Sequence, residues 1–297
     1  MAQKRFGSAD STGRKLDVIE KYLSMYQKAL SNTRLQTLYI DGFAGSGEVP
    51  LGASEEDLFD EEVKTVLAGS ADRALSISPP FLRYVFIDKR KKCIDALKAR
   101  LKDRPNFDRV ETTVEDANAK IRAICENEQW RMQRGVVLLD PFGSQVEWAT
   151  IEAIAATKAL DLWYLFPAGL SVFRQIANDG TVHDSHGDSI TRLFGTDVWM
   201  TAFFAPSSQG DLFGEPAGNR KNVTPESAAR FMIERLRNVF RGGVLELEET
   251  IPLGRHAYPS YYLLFAWANP APKATELAKK LARAAIRATD RKHGRPV

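Results

Sequence analysis

The sequence predicts an α/β protein: a seven-stranded, mostly parallel, Rossmann-like sheet with a helical insertion after strand five. Three observations carry this. Between Gln36 and Phe166, short apolar runs alternate five times with segments of helical period. Gly135–Leu139 is a continuous apolar run, as expected of a strand covered on both faces. The stretch Tyr39-Ile40-Asp41-Gly42-Phe43-Ala44-Gly45-Ser46-Gly47 ends a β-type run in an acid and enters a loop with three glycines. A parallel strand delivers its C-terminal end to a ligand in this way, because glycine lets backbone approach closely.

Residues 1–13 read as a flexible lead, and 14–297 as one domain with insertions at 48–69 and 168–242. Leu16, Ile19, Leu23, Tyr26 and Leu30 form one apolar stripe and predict a helix from about Lys15 to Leu30. Strand one follows at about Gln36–Asp41. Six of the eight residues from Glu55 to Glu62 are acidic, which reads as a solvated insertion. A short helix at Gly69–Ser76 is stopped by Pro79-Pro80. Strand two is Arg83–Asp88, then a basic helix runs from about Arg90 to Lys102. Strand three, near Arg109–Val114, leads through Glu115-Asp116-Ala117-Asn118 into a helix ending near Glu128. Strand four ends in Asp140-Pro141-Phe142-Gly143, and a helix (Glu147–Thr157) and strand five (Leu160–Phe166) follow. The insertion then reads as helices and loops. Ser207–Asn219 is its mobile loop, and Thr224 with Pro225 opens a helix to about Val239. Strands at Gly243–Glu249 and Tyr258–Trp267 return to the sheet, and a basic helix at about Ala274–Thr289 follows.

The chain has 297 residues, 44% of them hydrophobic, enough for a sizeable core. Its formal charge of +3 permits a nucleic-acid partner without requiring one. Cys93 and Cys125 are too few and too far apart for a disulfide framework or a CxxC motif, which fits a reducing cytoplasm. No apolar run approaches the ~20 residues of a membrane span, and Met1 to Arg14 lacks the apolar region of a signal peptide. A cytoplasmic protein with no membrane partner is expected.

Spacing discriminates among the ligands of the glycine loop. Gly42 and Gly47 have P-loop separation, but Glu48 and Val49 stand where the lysine and hydroxyl belong. Gly45 and Gly47 begin a dinucleotide fingerprint that Pro50 breaks. S-adenosylmethionine has no phosphate but carries a positive sulfonium and an ammonium, so an acidic, glycine-lined loop suits it. Asp41, Asp88, Asp116 and Asp140 each fall at or just past the end of strands one to four, which in a parallel sheet face one crevice. Asp41 would face the ammonium or sulfonium, Asp88 the ribose hydroxyls and Asp116 the adenine amino group. Asp140, with Pro141 and Phe142, would lie beside the transferred group. Each also has a plainer role as a helix cap or a strand-end turn.

DGFAGSG, YVFIDK, EDAN and LLDPFG, in that order, resemble motifs one to four of class I S-adenosylmethionine-dependent methyltransferases. From about Lys15 to Lys280 the chain is similar, more narrowly, to the three-Cys-motif partner family. The matching residues include Lys15-Leu16, Tyr22-Leu23, Val146-Glu147-Trp148 and Tyr261-Tyr262-Leu263-Leu264-Phe265. The resemblance implies a methyltransferase sheet and S-adenosylmethionine bound by Asp41, Gly42, Phe43, Ala44, Gly45, Gly47, Asp88, Lys89, Asp116 and Ala117. It also implies a partner, a radical-type iron–sulfur protein that carries the three cysteines. Asp140-Pro141-Phe142 resembles the [DNS]PP[FYW] motif of amino-group methyltransferases of nucleic acids. That motif would have Asp140 and the Pro141 carbonyl hold an amine while Phe142 stacks on the base. Here the second proline is missing, and Phe142 occupies its place. The expected function is methyl transfer to a nucleic acid or base-containing substrate; the alternative is a partner-dependent subunit. His183 and His186 lack further ligands at recognisable spacing and read as a polar loop. The basic residues Arg283, Arg287 and Arg291 share one helical face, which could track a phosphate backbone or simply be solvated.

Overall fold

A computed structural model describes residues 8–45, 69–206, 219–255 and 258–294. Strand β1 (Gln36–Asp41) runs parallel to β2 (Arg83–Ile87) on one side and to β4 (Gln133–Leu139) on the other. Outside these, β3 (Val110–Thr113) joins β2 and β5 (Leu160–Phe166) joins β4, both parallel. Within the insertion, β6 (Phe204–Pro206) and β7 (Asn219–Lys221) form a separate antiparallel pair. Strands β8 (Gly243–Val244), β9 (Ile251–Arg255) and β10 (Tyr258–Trp267) return to the main sheet. There β10 lies antiparallel to β5, and both β8 and β9 pair with β10.

The order across the sheet is β3-β2-β1-β4-β5-β10-β8. Counting β8 and β10 as its sixth and seventh strands, this is the 3-2-1-4-5-7-6 order of a Rossmann-like methyltransferase sheet. Alternation along each strand sends side chains to two separate cores. Leu38, Ile40, Val85 and Ile87 pack on one face with the helices Ala117–Asn127, Trp148–Ala156 and Pro225–Val239. Tyr39, Tyr84 and Phe86 pack on the other with the first helix, α1 (Ser8–Leu30), and with the helix Pro272–Lys292. These two helices are also tied by ions. Arg14 Nε donates to Asp290 Oδ1 at 2.8 Å, and Lys292 and His293 reach Asp17 at 2.8 and 2.9 Å.

Of the expected stripe, Leu16, Ile19, Leu23 and Tyr26 are buried and Leu30 is half-buried. The helix carrying it begins at Ser8, earlier than Lys15. The strand expected over Gly243–Glu249 stops at Val244 and gives way to a 3-10 turn at Leu247–Glu249. Its pairing ends where the Leu245 N–H donates to Phe265 O at 3.0 Å, and the chain then turns to bury Leu247. The helix opened by Thr224 runs to Val239 as expected, with a full capping box in which Thr224 and Ser227 exchange bonds. Gly47, the acidic stretch 48–68 and the loop 207–218 lie outside the described residues. Among the described residues, no helix is long and apolar enough to cross a membrane.

Candidate functional site

The sheet order reverses between β1 and β4, and ligands bind beyond the carboxyl ends of strands at such a point. A cleft of about 400 Å³ opens there, within the usual range for small-molecule sites. The glycine loop forms one wall. The Gly42 N–H donates to Leu138 O at 3.0 Å, and the Ala44 N–H to Ile87 O at 2.9 Å. The loop is thereby bonded to β4 and β2. A Cβ on Gly42 would lie 3.0 Å from Ile121 Cδ1 and 3.1 Å from Leu139 Cδ2. Gly45 has φ +61°, the left-handed region that favours glycine.

Asp88 follows β2 and is 7% exposed. Its Oδ2 accepts the Gly45 N–H at 3.2 Å, and its Oδ1 accepts the Arg90 N–H at 2.8 Å. The Arg90 guanidinium folds back over the same carboxylate, with Nε 3.1 Å from Oδ1 and Nη2 3.1 Å from Oδ2. The acid expected to grip a ribose is therefore engaged by a half-exposed arginine.

Asp140, just past β4, is fully buried and lines the cleft. Its Oδ2 receives a charge-assisted hydrogen bond from Lys15 Nζ on α1, and Lys15 is itself buried. Its Oδ1 has no hydrogen-bond partner among the described residues. Lys15 is absent from the site residues that the sequence nominates, although a signal exists. Lys15, Ile19, Tyr22 and Tyr26 follow the buried helical period, and a lysine on such a stripe needs a buried acid opposite it.

Asp116 caps the helix Ala117–Asn127, accepting the Ala119 N–H on Oδ1 at 3.1 Å, and also lines the cleft. Asp41 is placed differently. It is fully buried beneath the loop, where its Oδ1 accepts the Phe43 N–H at 3.2 Å and its Oδ2 accepts the Ser70 hydroxyl at 2.7 Å. Burial raises its carboxyl to about 7; the Ser70 bond opposes that shift and the charge of Asp140 adds to it. In this structure Asp41 serves as a loop cap.

The loop after β4 is held by a residue the sequence does not single out as functional. Asn118 Nδ2 donates to Gln145 O at 2.9 Å, while Asn118 Oδ1 accepts from the Glu147 N–H and Thr150 Oγ1, each at 2.9 Å. That bracing leaves Pro141 buried and Phe142 49% exposed at the cleft. Gly143, at φ +74°, continues the turn. The insertion meets this loop through Ser144 Oγ and Ser189 Oγ, 2.6 Å apart, and sends Arg192 into the cleft lining.

Of the nominated residues, Gly42, Phe43, Asp88, Lys89, Asp116, Ala117, Asp140 and Phe142 line this one cleft. Asp41, Ala44, Gly45 and Pro141 do not line it, and Gly47 is outside the described residues. His183 caps its own helix by accepting the Ser185 N–H. No cluster of three or more His, Cys, Asp or Glu side chains suited to a metal occurs among the described residues.

No protein-family model matches the chain, and no curated protein does. Among solved structures it is similar to Legionella pneumophila protein LPL1258, with 11% identity, a TM-score of 0.44 and coverage of 93% of this chain and 92% of that one. It is also similar to the plantazolicin methyltransferase BpumL in complex with SAH, with 12% identity, a TM-score of 0.30 and coverage of 86% and 83%. A third is a conserved hypothetical protein from Streptococcus pyogenes, with 18% identity, a TM-score of 0.29 and coverage of 47% and 75%. The methyltransferase-like fold is assigned from the sheet order and not from these likenesses.

Proposed function

We propose that the cleft binds S-adenosylmethionine and that the protein transfers its methyl group to an amino nitrogen of a nucleic-acid base or base-containing molecule. One observation carries this reading. The glycine loop after β1, a buried carboxylate after β2, and an acid-proline-aromatic turn after β4 meet at a single cleft at the switch point. The residues present fit the cofactor. Asp88 can accept from both hydroxyls of a ribose, and Gly42 and Phe43 offer close backbone. The Asp116 cap engages only Oδ1, which leaves the second oxygen for an amino group.

Bound S-adenosylmethionine supplies an electrophilic methyl on a sulfonium. The chain's own contribution is placement, since in-line transfer depends mainly on holding donor and acceptor close and aligned. Lys15 engages Asp140 Oδ2 and holds the carboxylate in one orientation. Oδ1 is then the atom left to accept an N–H from the acceptor amine, with Phe142 for the base face.

Incubation with methyl-labelled cofactor and total RNA or DNA tests this. Wild-type protein is expected to label nucleic acid, and Asp140→Ala, shown to be folded by circular dichroism, to lower the rate by about 100-fold. Labelling that requires the iron–sulfur partner implied by the resemblance would instead make the chain a partner-dependent subunit. Absence of labelled nucleic acid in both settings would overturn the acceptor assignment.

A further inference from the structure

An aromatic and cationic rim runs from the cleft along the insertion. The six residues Ala168–Phe173 that follow β5 form a π-helical turn, a rare backbone form frequent at functional sites. A Cβ on Gly143 would lie 3.4 Å from Ser171 Oγ, so this turn abuts the loop that carries Phe142. At its far end the Phe173 ring stacks with Tyr258, centroids 5.8 Å apart at 22°. Tyr258 belongs to the part of β10 that runs past the end of β5, where Tyr262 already pairs with Phe166. Lys221 Nζ sits 3.5 Å from the Phe173 ring centre and donates to the carbonyls of Phe173 and Ile176, which fixes that ring.

The outer members of this pile are open. Tyr258 is 62% exposed and Phe142 49% exposed. Arg174, beside Phe173, and Arg192, in the cleft lining, are exposed and enter no ion pair among the described residues. By contrast, Arg122, Arg230, Arg237 and Arg283 are each paired with a glutamate. Exposed rings accompanied by guanidinium groups outside ion pairs suit a strand that offers both aromatic faces and phosphates. They match a duplex less well, because its base faces are hidden and a base would have to be flipped out of the stack to approach a carboxylate as buried as Asp140.

The geometry points to this rim as the landing surface of a single-stranded nucleic acid, with bases stacked on Phe142 and Tyr258 and phosphates passing Arg174 and Arg192. This deepens the base-directed reading above and rests on it for what happens in the cleft. Fluorescence anisotropy with labelled single strands of roughly 12 nucleotides, RNA and DNA, and with the same sequences as duplexes, tests it. Single strands are expected to bind at least about tenfold more tightly than duplexes, and Tyr258→Ala to weaken them by about tenfold while Tyr258→Phe does not. Arg174→Glu should lower affinity for all single strands and reduce the salt slope by about one. Equal binding of single strands and duplexes, or a Tyr258→Ala protein that binds like wild type, overturns the rim. Calorimetry with S-adenosylmethionine on the same preparation separates the two readings. Cofactor binding without strand binding removes only the rim, whereas strand binding without cofactor binding removes the methyltransferase reading.

Discussion

In the proposed S-adenosylmethionine site, Asp88 and Arg90 form the contact that the cofactor would have to open. Two N–H groups of the guanidinium meet the two oxygens that a ribose would use in the proposed site, and the arginine is half exposed. A ribose must compete with this internal pairing, which lowers apparent affinity by the fraction of molecules in which the arginine covers the acid. Arg90→Ala is therefore expected to tighten S-adenosylmethionine binding by about fivefold in calorimetry. Weaker binding by that variant would place Arg90 in the bound state instead. The carboxylate of Asp88 was legible from its place after a strand, whereas its arginine was not, because a two-residue backfold leaves no periodic trace. Asp41 and Asp116 show the reverse limit. Strand-end acids in a sequence look alike, and only the local backbone decides that one is a buried loop cap and the other a helix cap on the cleft wall.

Between elements, α1 is joined to the sheet by buried polar contacts as well as by its apolar stripe. Lys15 reaches Asp140 beyond one end of the strands, and the Tyr22 hydroxyl donates to Asp161 Oδ2 at 2.5 Å, near the start of β5. Burial raises the Asp161 carboxyl to about 7, while the Tyr22 bond and the charge of Arg134 oppose the shift. A carboxyl raised in the folded state holds its proton there after the unfolded chain has lost it. Folding stability from this group thus falls as pH rises from about 4 to about 7 and stays lowered above that. Asp161→Asn keeps an acceptor for Tyr22 and removes the titration. It should raise stability at pH 8 by on the order of 1 kcal/mol, with no gain at pH 3, in denaturant melts. An equal effect at both pH values would contradict the assignment. Strand β9 escaped sequence reading for a related local reason. Pro252 and Gly254 punctuate Ile251–Arg255, and both are tolerated in a strand paired on one side only.

For the whole molecule, five strand-helix alternations and two returning strands were enough to anticipate the sheet, because each parallel crossover leaves a periodic signature. The alternations could not show how the two helices Ser8–Leu30 and Pro272–Lys292 clasp each other. That contact rests on Arg14, Asp17, Asp290, Lys292 and His293, which are far apart in the chain. Burial would raise the Asp17 carboxyl, but hydrogen bonds from Arg73, Lys292 and His293 hold it down at about 2. On α1 the clasp residues Arg14 and Asp17 flank Lys15, which reaches Asp140. The switch-point cleft is proposed as an S-adenosylmethionine site gripped by Asp88. Isothermal titration of wild type and Asp88→Ala with S-adenosylmethionine, with circular dichroism to confirm that both are folded, tests it most directly. Wild type is expected to bind one equivalent, and Asp88→Ala to bind at least about tenfold more weakly, the loss of one charge-assisted hydrogen-bonding group. No binding by the wild-type protein, or unchanged affinity in folded Asp88→Ala, would contradict it.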